Sequence, residues 1–328
     1  MSRPVAFTEG LAARLGRALR DTRVRVGLRL LVLAALMALL FRLVDGGETL
    51  AALRNAGLAP LAAGVLLVQV QIVLSGVRWR ITAKRLMVPL TLGTAVREYY
   101  VATFLNQVLP GGVAGDAVRA VRNRDTGADG APRWRPVVRS VVLERAAGQI
   151  VFFAVAALGV LLAPALLSRT LPDALETAVA LPIAVAALLG VGVAAATRVG
   201  PAALRRALAD LGPDIAEAFF ARGVWATQIA LSVVIVSSYI AVFALAGASL
   251  GADVPALAWI TIAPLVLVSM LIPVSIGGWG VREGAAAALF PLAGVDASIG
   301  LAIAILYGLT SLAGSLPGLA LLFLRRRR

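Results

Sequence analysis

Long apolar runs separated by short arginine-rich segments dominate the chain. Six of these runs lie at about 28–44, 58–77, 142–167, 174–197, 223–250 and 297–324. Each run contains roughly 20 apolar residues, the length at which a helix crosses the hydrocarbon core of a bilayer. The pattern therefore predicts an all-α polytopic membrane protein.

The positions of the arginines predict how the chain is threaded through the membrane. Basic residues favour the cytoplasmic side, and here they concentrate near both termini and in the segments 78–85 and 119–139. We therefore expect a basic cytoplasmic arm at 1–27, a single transmembrane domain at 28–324 and a cytoplasmic tail at 325–328. The expected location is the bacterial inner membrane, with both termini in the cytoplasm.

Two further apolar segments do not fit full crossings. Segment 91–118 lies between two basic segments, so its two ends are expected on the cytoplasmic side. By the same count, both ends of segment 256–294 are expected outside. We predict about six full crossings plus two re-entrant helical hairpins that enter from opposite sides. The alternative is that each of these segments contains a full crossing followed by an ordinary loop.

The two predicted hairpin tips share a sequence pattern. "LPGGVAGDAVR" and "IPVSIGGWGVR" both contain Pro, four residues, Gly, two residues and Val-Arg. The matched positions are Pro110, Gly115, Val118 and Arg119 with Pro273, Gly278, Val281 and Arg282. Broken helices that enter from opposite faces are typical of inverted-repeat transporters. An inverted repeat is therefore predicted, and chance or generic turn chemistry is the alternative.

Proline and glycine at these tips favour a turn. Proline ends a helix, and glycine permits tight turning and close approach of the backbone. The predicted turn or hinge residues are Pro110, Gly111, Gly112, Gly115, Pro273, Gly277, Gly278 and Gly280.

Ionisable side chains within apolar segments are costly and usually face a cavity or a partner. The candidates for binding a substrate are Glu98, Asn106, Asp116, Arg119, Glu144, Arg145, Arg282 and Glu283. We predict that Arg119 and Arg282 bind a phosphate, because a guanidinium group matches phosphate oxygens with paired hydrogen bonds. The carboxylates would shape the charge of the cavity or hold a cationic part of the headgroup. The alternative is that the acids and arginines only pair with one another.

Composition narrows the chemistry further. The chain has neither cysteine nor histidine, which excludes disulfides, thiolate nucleophiles, histidine metal ligands and a Ser-His-Asp triad. It also has no phosphate-binding loop that ends in Gly-Lys-Ser/Thr. We therefore expect no catalytic residues, no metal and no cofactor, and a protein that is not an enzyme. The net charge of +14 indicates cytoplasmic loops and contact with anionic lipid, with no nucleic-acid partner.

Three blocks carry a resemblance to a known family. "NQVLPGGVAGDAVRA", "SVVLERAAGQIVFF" and "LIPVSIGGWGVREGA" resemble the lysylphosphatidylglycerol synthase transmembrane-region family, which includes the flippase half of the multiple peptide resistance factor. The resemblance implies an eight-segment helical fold, movement of lipids between leaflets, and functional roles for the tip residues together with Glu144 and Arg145. In this family a soluble synthase domain follows the membrane part. Because this chain ends at "RRRR", aminoacyl transfer is not expected from it.

Together these observations predict a flippase that moves a phosphate-bearing lipid, with or without an aminoacyl or sugar group, between leaflets. The expected partners are a phospholipid or lipid-linked headgroup and the bilayer, with a second copy or a partner transferase as candidate protein partners. The alternative function is a membrane enzyme or an accessory subunit of lipid-linked glycan or hopanoid biosynthesis.

Overall fold

The fold comes from a computed structural model. It describes residues 22–109, 112–123, 125–126, 132–167, 211–220, 223–270 and 276–324. The predicted crossing at 174–197, the turn residues Pro110, Gly111 and Pro273, and most of the arm at 1–27 lie outside these ranges.

The described part of the chain is helical except for one very short strand pair. The helices are α1 Thr22–Leu43, α2 Gly46–Arg54, α3 Leu58–Arg85, α4 Leu92–Val108, α5 Ala114–Arg122, α6 Trp134–Leu167, α7 Leu211–Ile215, α8 Val224–Ser249, α9 Ala256–Ser269, α10 Val281–Leu289, α11 Ala297–Ser315 and α12 Pro317–Phe323. A π-helical turn at Ala216–Phe220 follows α7, and a 3₁₀ turn at Phe290–Ala293 follows α10. The antiparallel strands are β1 Asp125–Thr126 and β2 Pro132–Arg133.

Within the described ranges, four stretches are long and apolar enough to cross a membrane. They are Leu58–Arg85, Trp134–Gly159, Val224–Ser249 and Ala297–Phe323. This confirms the prediction of a helical protein with several membrane crossings.

Two of these helices extend beyond the apolar runs that predicted them. The run at 58–77 continues as helix to Arg85, and the run at 142–167 already begins as helix at Trp134. No proline or glycine interrupts the stretch 77–85, so the helix continues through its polar residues. As a result Arg78, predicted to lie in a cytoplasmic loop, is a buried residue of α3.

The core lies around α11, which is the most buried of the four spans, at 67% of its most apolar window. Phe243 of α8 stacks on Phe290 with 6.2 Å between ring centroids and lies 4.8 Å from the ring of Tyr307 on α11. Small residues let α11 approach α3: a Cβ atom at Gly314 would lie 2.5 Å from Val68. Close packing at glycine is typical of helix pairs in membranes.

Two pairs of short helices pack beside these spans. Helices α4 and α5 form the first pair, and α9 and α10 form the second pair. At 1.5 Å per residue, the nine residues of α5 or α10 extend over roughly 14 Å, about half of a hydrocarbon core. Neither of these two helices is long enough to cross a bilayer.

Candidate functional site

Glycines bring the two helix pairs into direct contact. A Cβ atom at Gly277 would lie 2.4 Å from the backbone oxygen of Gln107, and Gly277 has a φ of +58°. A Cβ atom at Gly115 would lie 2.0 Å from the backbone oxygen of Ala102. Because a side chain at either position would collide with backbone, glycine permits both contacts. The turn before α10 therefore lies on the end of α4, and α5 folds closely against α4.

Glu144 on α6 is the centre of a buried ion-pair cluster. Its Oε1 accepts hydrogen bonds from Arg78 Nη2 at 2.6 Å and Nε at 3.1 Å, and from the Tyr99 hydroxyl at 3.1 Å. Its Oε2 accepts one from Arg119 Nη2 at 2.7 Å. Arg78 also donates to Ser232 Oγ on α8 at 2.9 Å. The carboxylate thus links four helices directly, and Arg78 extends the network to α8.

Asp116, in the first turn of α5, is the second acidic centre. Its Oδ1 lies 3.0 Å from Arg119 Nη2, and its Oδ2 accepts hydrogen bonds from Arg145 and, at 3.3 Å, from Asn106 Nδ2. The Asn106 side-chain oxygen accepts a hydrogen bond from the backbone N–H of Gly115 at 2.8 Å. Asn106 therefore satisfies a backbone donor at the start of α5 and also positions Asp116.

Arg119 lies between two aromatic rings. Its guanidinium carbon is 4.7 Å from the ring centroid of Trp79 and 4.5 Å from that of Tyr99. The guanidinium group therefore makes a cation–π contact with each ring. The side chain is fully buried, and its Nε and Nη1 have no hydrogen-bond partner among the described residues. The rings and carboxylates therefore hold Arg119 in place, although part of its donor capacity is unused.

The cluster carries an excess of positive charge. Three guanidinium groups, those of Arg78, Arg119 and Arg145, surround the two carboxylates of Asp116 and Glu144. One positive charge therefore lacks a counterion within the cluster. A buried cation without a counterion is costly in a region of low dielectric. An anion bound beside these guanidinium groups would therefore be stabilised.

The second helix pair holds its charges locally. Arg282 pairs with its neighbour Glu283, whose Oε2 also accepts a hydrogen bond from the backbone N–H of Gly280 at 2.6 Å. The Arg282 guanidinium lies 4.6 Å from the ring centroid of Trp279 and 5.3 Å from that of Tyr307. Both charged side chains are fully buried. The second pair is therefore neutral at this point.

Glu98 lies on a different part of α4 from the cavity described below. It is fully buried, and its two oxygens accept hydrogen bonds from Arg122 Nε at 2.7 Å and Nη2 at 3.2 Å. This ion pair ties the end of α5 to α4. Among the described residues, no group of three or more Asp, Glu, His or Cys side chains is placed to hold a metal ion.

A cavity of about 220 Å³ lies between the two helix pairs, α3, α6, α8 and α11. Its polar and charged lining consists of Ser75, Arg78, Tyr99, Thr103, Asn106, Gln107, Asp116, Arg145, Gln149, Tyr239 and Tyr307. Of the two arginines in this lining, Arg145 is the more accessible to a ligand, since 34% of its side chain is exposed. The cavity therefore has a charged wall on its α5 and α6 side.

The structure separates the residues proposed from the sequence into two groups. Those that line the cavity are Asn106, Gly112, Asp116, Arg145, Gly277 and Gly278. Those that lie behind its wall or elsewhere in the bundle are Glu98, Gly115, Arg119, Glu144, Gly280, Arg282 and Glu283. The two arginines expected to bind phosphate, Arg119 and Arg282, are both in the second group.

Several lining residues were not predicted from the sequence. Arg78 is the most informative of them, because it faces the cavity and pairs with Glu144. A signal for it was present: Arg78 is followed at helical spacing by Thr82 with no helix breaker between them, which indicates that α3 continues. Gln149 gave no such signal, since an isolated glutamine is common on any helix.

Comparison of the sequence with known protein families gives a match. Residues 26–318 match the family described as "Lysylphosphatidylglycerol synthase TM region". The chain belongs to this family. Membership confirms the resemblance found in the sequence and identifies a multi-pass membrane protein linked to lipid modification or lipid flipping. No curated protein and no solved structure matches the sequence significantly.

Within the lysylphosphatidylglycerol synthase TM region family, the matched range covers nearly all of the described site. It includes both helix pairs, the ion-pair cluster and the cavity between them. The family assignment therefore applies to the part of the chain where the charged residues lie.

Proposed function

We propose that the protein moves a phosphate-bearing lipid between the two leaflets of the bacterial inner membrane. The headgroup would occupy the cavity between the two helix pairs while the acyl chains remain in the bilayer. The observation that supports this most is the uncompensated positive charge of the cluster formed by Arg78, Arg119 and Arg145 at the cavity wall. Because the chain belongs to a family of membrane proteins linked to lipid modification or lipid flipping, we assign a lipid phosphate as the anion that this charge binds.

The topology that goes with this function has the two helix pairs entering the membrane from opposite sides. The shortness of α5 and α10 supports re-entry, because neither helix can complete a crossing. A turn at membrane depth must be buried in protein or face a wet cavity, and the contact between Gly277 and Gln107 agrees with burial. With both termini in the cytoplasm, about six full crossings complete the arrangement.

The cavity-facing arginines would make the first contact with the phosphate. Arg145 is partly exposed, and its Nη1 is bound to Asp116 while its Nη2 reaches the backbone oxygen of Gly112 at 3.2 Å. Arg78 lines the deeper part of the same wall. Arg119 would act as a positioning residue, since it is fully buried between two rings and holds both Asp116 and Glu144 in place.

This arrangement offers a physical route for a polar headgroup. The barrier to lipid exchange between leaflets is the cost of moving a charged phosphate out of water. Guanidinium groups replace part of the hydration of that phosphate through charge-assisted hydrogen bonds. The exchange would therefore be accelerated without covalent chemistry.

The test is the movement of labelled lipid in vesicles that contain the full chain. Lipids carrying a fluorophore on one acyl chain are reduced from outside by a membrane-impermeant reagent, and the rate of loss of the inner-leaflet signal is measured. We expect Arg145→Gln to slow the movement of an anionic phospholipid by about tenfold or more, because a charge-assisted hydrogen bond contributes ~1.5–3 kcal/mol.

Arg80→Gln is the matched control for this substitution. Arg80 is an exposed arginine of α3, two residues from Arg78, and it does not line the cavity. Its substitution should leave the rate within about twofold of the unmodified protein. If vesicles with and without the protein behave alike for every anionic lipid in a panel of headgroups, the proposed function is wrong.

A further inference from the structure

The carboxylates near the cavity already have cationic partners. Asp116, the acidic residue among the described lining residues, forms an ion pair with Arg119 and accepts hydrogen bonds from Arg145 and Asn106. Glu144 lies behind the wall, fully buried, and both of its oxygens are bound to arginine. An ammonium group that entered the cavity would therefore have to displace a guanidinium group to reach a carboxylate.

Two aromatic rings of the cavity lining also have a guanidinium group close to them already. Arg119 covers the ring of Tyr99 at 4.5 Å, and Arg282 lies 5.3 Å from the ring centroid of Tyr307. Both tyrosines line the cavity. Aromatic faces bind cations, but these two already have one nearby. A second cation placed there would be repelled by the first.

The remaining polar groups of the lining are neutral and suit hydroxyl groups. They include the amides of Asn106, Gln107 and Gln149 and the hydroxyls of Ser75 and Thr103. The side-chain oxygen Oε1 of Gln107 is buried without a hydrogen-bond partner in the described part of the chain. A buried acceptor without a donor is costly, and a hydroxyl hydrogen of a bound ligand would satisfy it.

We infer that this cavity selects a lipid whose phosphate carries an uncharged, hydroxylated headgroup, such as glycerol or a sugar, and disfavours one that carries an ammonium group. The inference rests on the proposed function and specifies its substrate class. The phosphate would neutralise the excess positive charge, and the headgroup hydroxyls would form hydrogen bonds with the neutral amides. An added ammonium group would restore the charge imbalance that the phosphate removes. This differs from the expectation that free carboxylates hold a cationic part of the headgroup.

The first experiment compares two lipids that differ only beyond the phosphate. Phosphatidylglycerol and phosphatidylethanolamine with the same labelled acyl chains are followed in vesicles containing the full chain, with protein-free vesicles as background. We expect the protein to move phosphatidylglycerol about tenfold faster, since one added charge at ~8 Å from another costs ~2 kcal/mol at an effective dielectric constant of about 20, before screening reduces it.

A pair of variants at one position tests whether charge sets this preference. Gln149 lines the cavity four residues after Arg145, so the two side chains share a face of α6. Gln149→Glu would supply the missing negative charge, and we expect it to reduce the preference for phosphatidylglycerol by at least about threefold. Gln149→Met removes the same amide without adding charge, so it should reduce the preference less than Gln149→Glu does. An equal reduction by both variants would mean that charge does not set the preference.

Binding of ligands in detergent separates failure of selectivity from failure of transport. The melting temperature of the purified full chain is measured with short-chain phosphatidylglycerol, short-chain phosphatidylethanolamine and free glycerol phosphate. Phosphatidylglycerol should raise it most, and glycerol phosphate less, because the acyl chains also contribute to binding. A similar rise with glycerol phosphate alone would point to a soluble phosphate as the ligand and would overturn the lipid assignment.

The outcomes then distinguish the two claims. Movement of phosphatidylethanolamine at the rate of phosphatidylglycerol or faster overturns the inferred selectivity and leaves the flippase proposal intact. If no lipid moves, the flippase proposal fails, and the melting temperatures alone decide selectivity. Equal stabilisation by the two lipids, or none by either, would reject it in that case.

Discussion

The two helix pairs carry the same Pro/Gly/Val-Arg pattern and use its arginine in different ways. Arg119 of the first pair reaches Glu144 on another helix, 25 residues further along the chain. Arg282 of the second pair binds the residue next to it, Glu283. Both guanidinium groups lie over aromatic rings and both are fully buried. The first ion pair therefore joins separate helices, whereas the second is completed within a single turn.

A sequence repeat therefore need not give two equivalent sites. At the first pair, the network of Arg78, Arg119 and Arg145 continues to the cavity and has one more positive charge than the two carboxylates within the cluster neutralise. At the second pair, Arg282 and Glu283 neutralise each other, and the backbone of Gly280 takes up the remaining carboxylate oxygen. We infer that the cluster beside the first pair, through Arg78 of α3 and Arg145 of α6, supplies the charge for binding, and that the second pair supplies a closely fitting wall.

Among substitutions that test this difference, Glu144→Gln is expected to lower the free energy of unfolding most. The substitution keeps the shape of the side chain but removes the charge that two buried arginines share. Removing one partner of a buried ion pair commonly destabilises a protein by ~3–5 kcal/mol, since a charge is left uncompensated. We expect a loss of free energy of unfolding at the upper end of this range, measured by unfolding of the purified protein in detergent.

Glu217→Gln provides the control for that measurement. Glu217 has half of its side chain exposed and lies 3.8 Å from Arg85, a contact between partly solvated groups. Such pairs contribute about 0–1 kcal/mol. If Glu144→Gln costs no more than Glu217→Gln, the cluster is not the structural centre described above.

A smaller effect is expected from Gly277→Ala, which tests the contact between the two pairs. The new Cβ atom would lie 2.4 Å from the Gln107 backbone oxygen, and the residue would also keep a positive φ. Overpacking costs ~1–3 kcal/mol, and a left-handed backbone costs a residue with a side chain a further ~1–2 kcal/mol. We expect a loss of ~2–5 kcal/mol in the free energy of unfolding.

Gly294→Ala isolates the backbone part of this cost. Gly294 also has a positive φ, +77°, but a Cβ atom there would meet nothing within 4 Å. It should cost only ~1–2 kcal/mol. The difference between the two variants measures the contact of the helix pairs, and equal losses would mean that the two turns do not touch in the folded protein.

Much of the fold was predictable from the sequence because hydrophobic length is a strong constraint in a membrane. The runs at 58–77, 223–250 and 297–324 predicted spans that the structure contains, although it places the end of the first one at Arg85. The Pro/Gly blocks correctly indicated two interruptions of helix, between α4 and α5 and between α9 and α10. These features follow from local residue types, which a single sequence displays directly.

The partners within the site were not predictable, because ion pairing depends on helix rotation and packing. The sequence placed Glu144 and Arg145 side by side, but in the structure they face different partners: Glu144 binds Arg78 and Arg119, and Arg145 binds Asp116. Asp116 and Arg119 lie three residues apart on one helix, a spacing that allows the ion pair between them. Long-range pairs such as Arg78 with Glu144 leave no comparable trace in a single sequence.

Apart from the two control variants, the smallest effect is expected from Glu283→Gln. The substitution leaves one buried arginine, Arg282, without its counterion, whereas Glu144→Gln affects two. The rings of Trp279 and Tyr307 still face the Arg282 guanidinium, and the glutamine oxygen can still accept a hydrogen bond from Gly280. We expect a loss of about 2 kcal/mol in the free energy of unfolding. A loss equal to that of Glu144→Gln would show that the second helix pair depends on its acid as strongly as the first, and the two arginines would then have to be treated as equivalent.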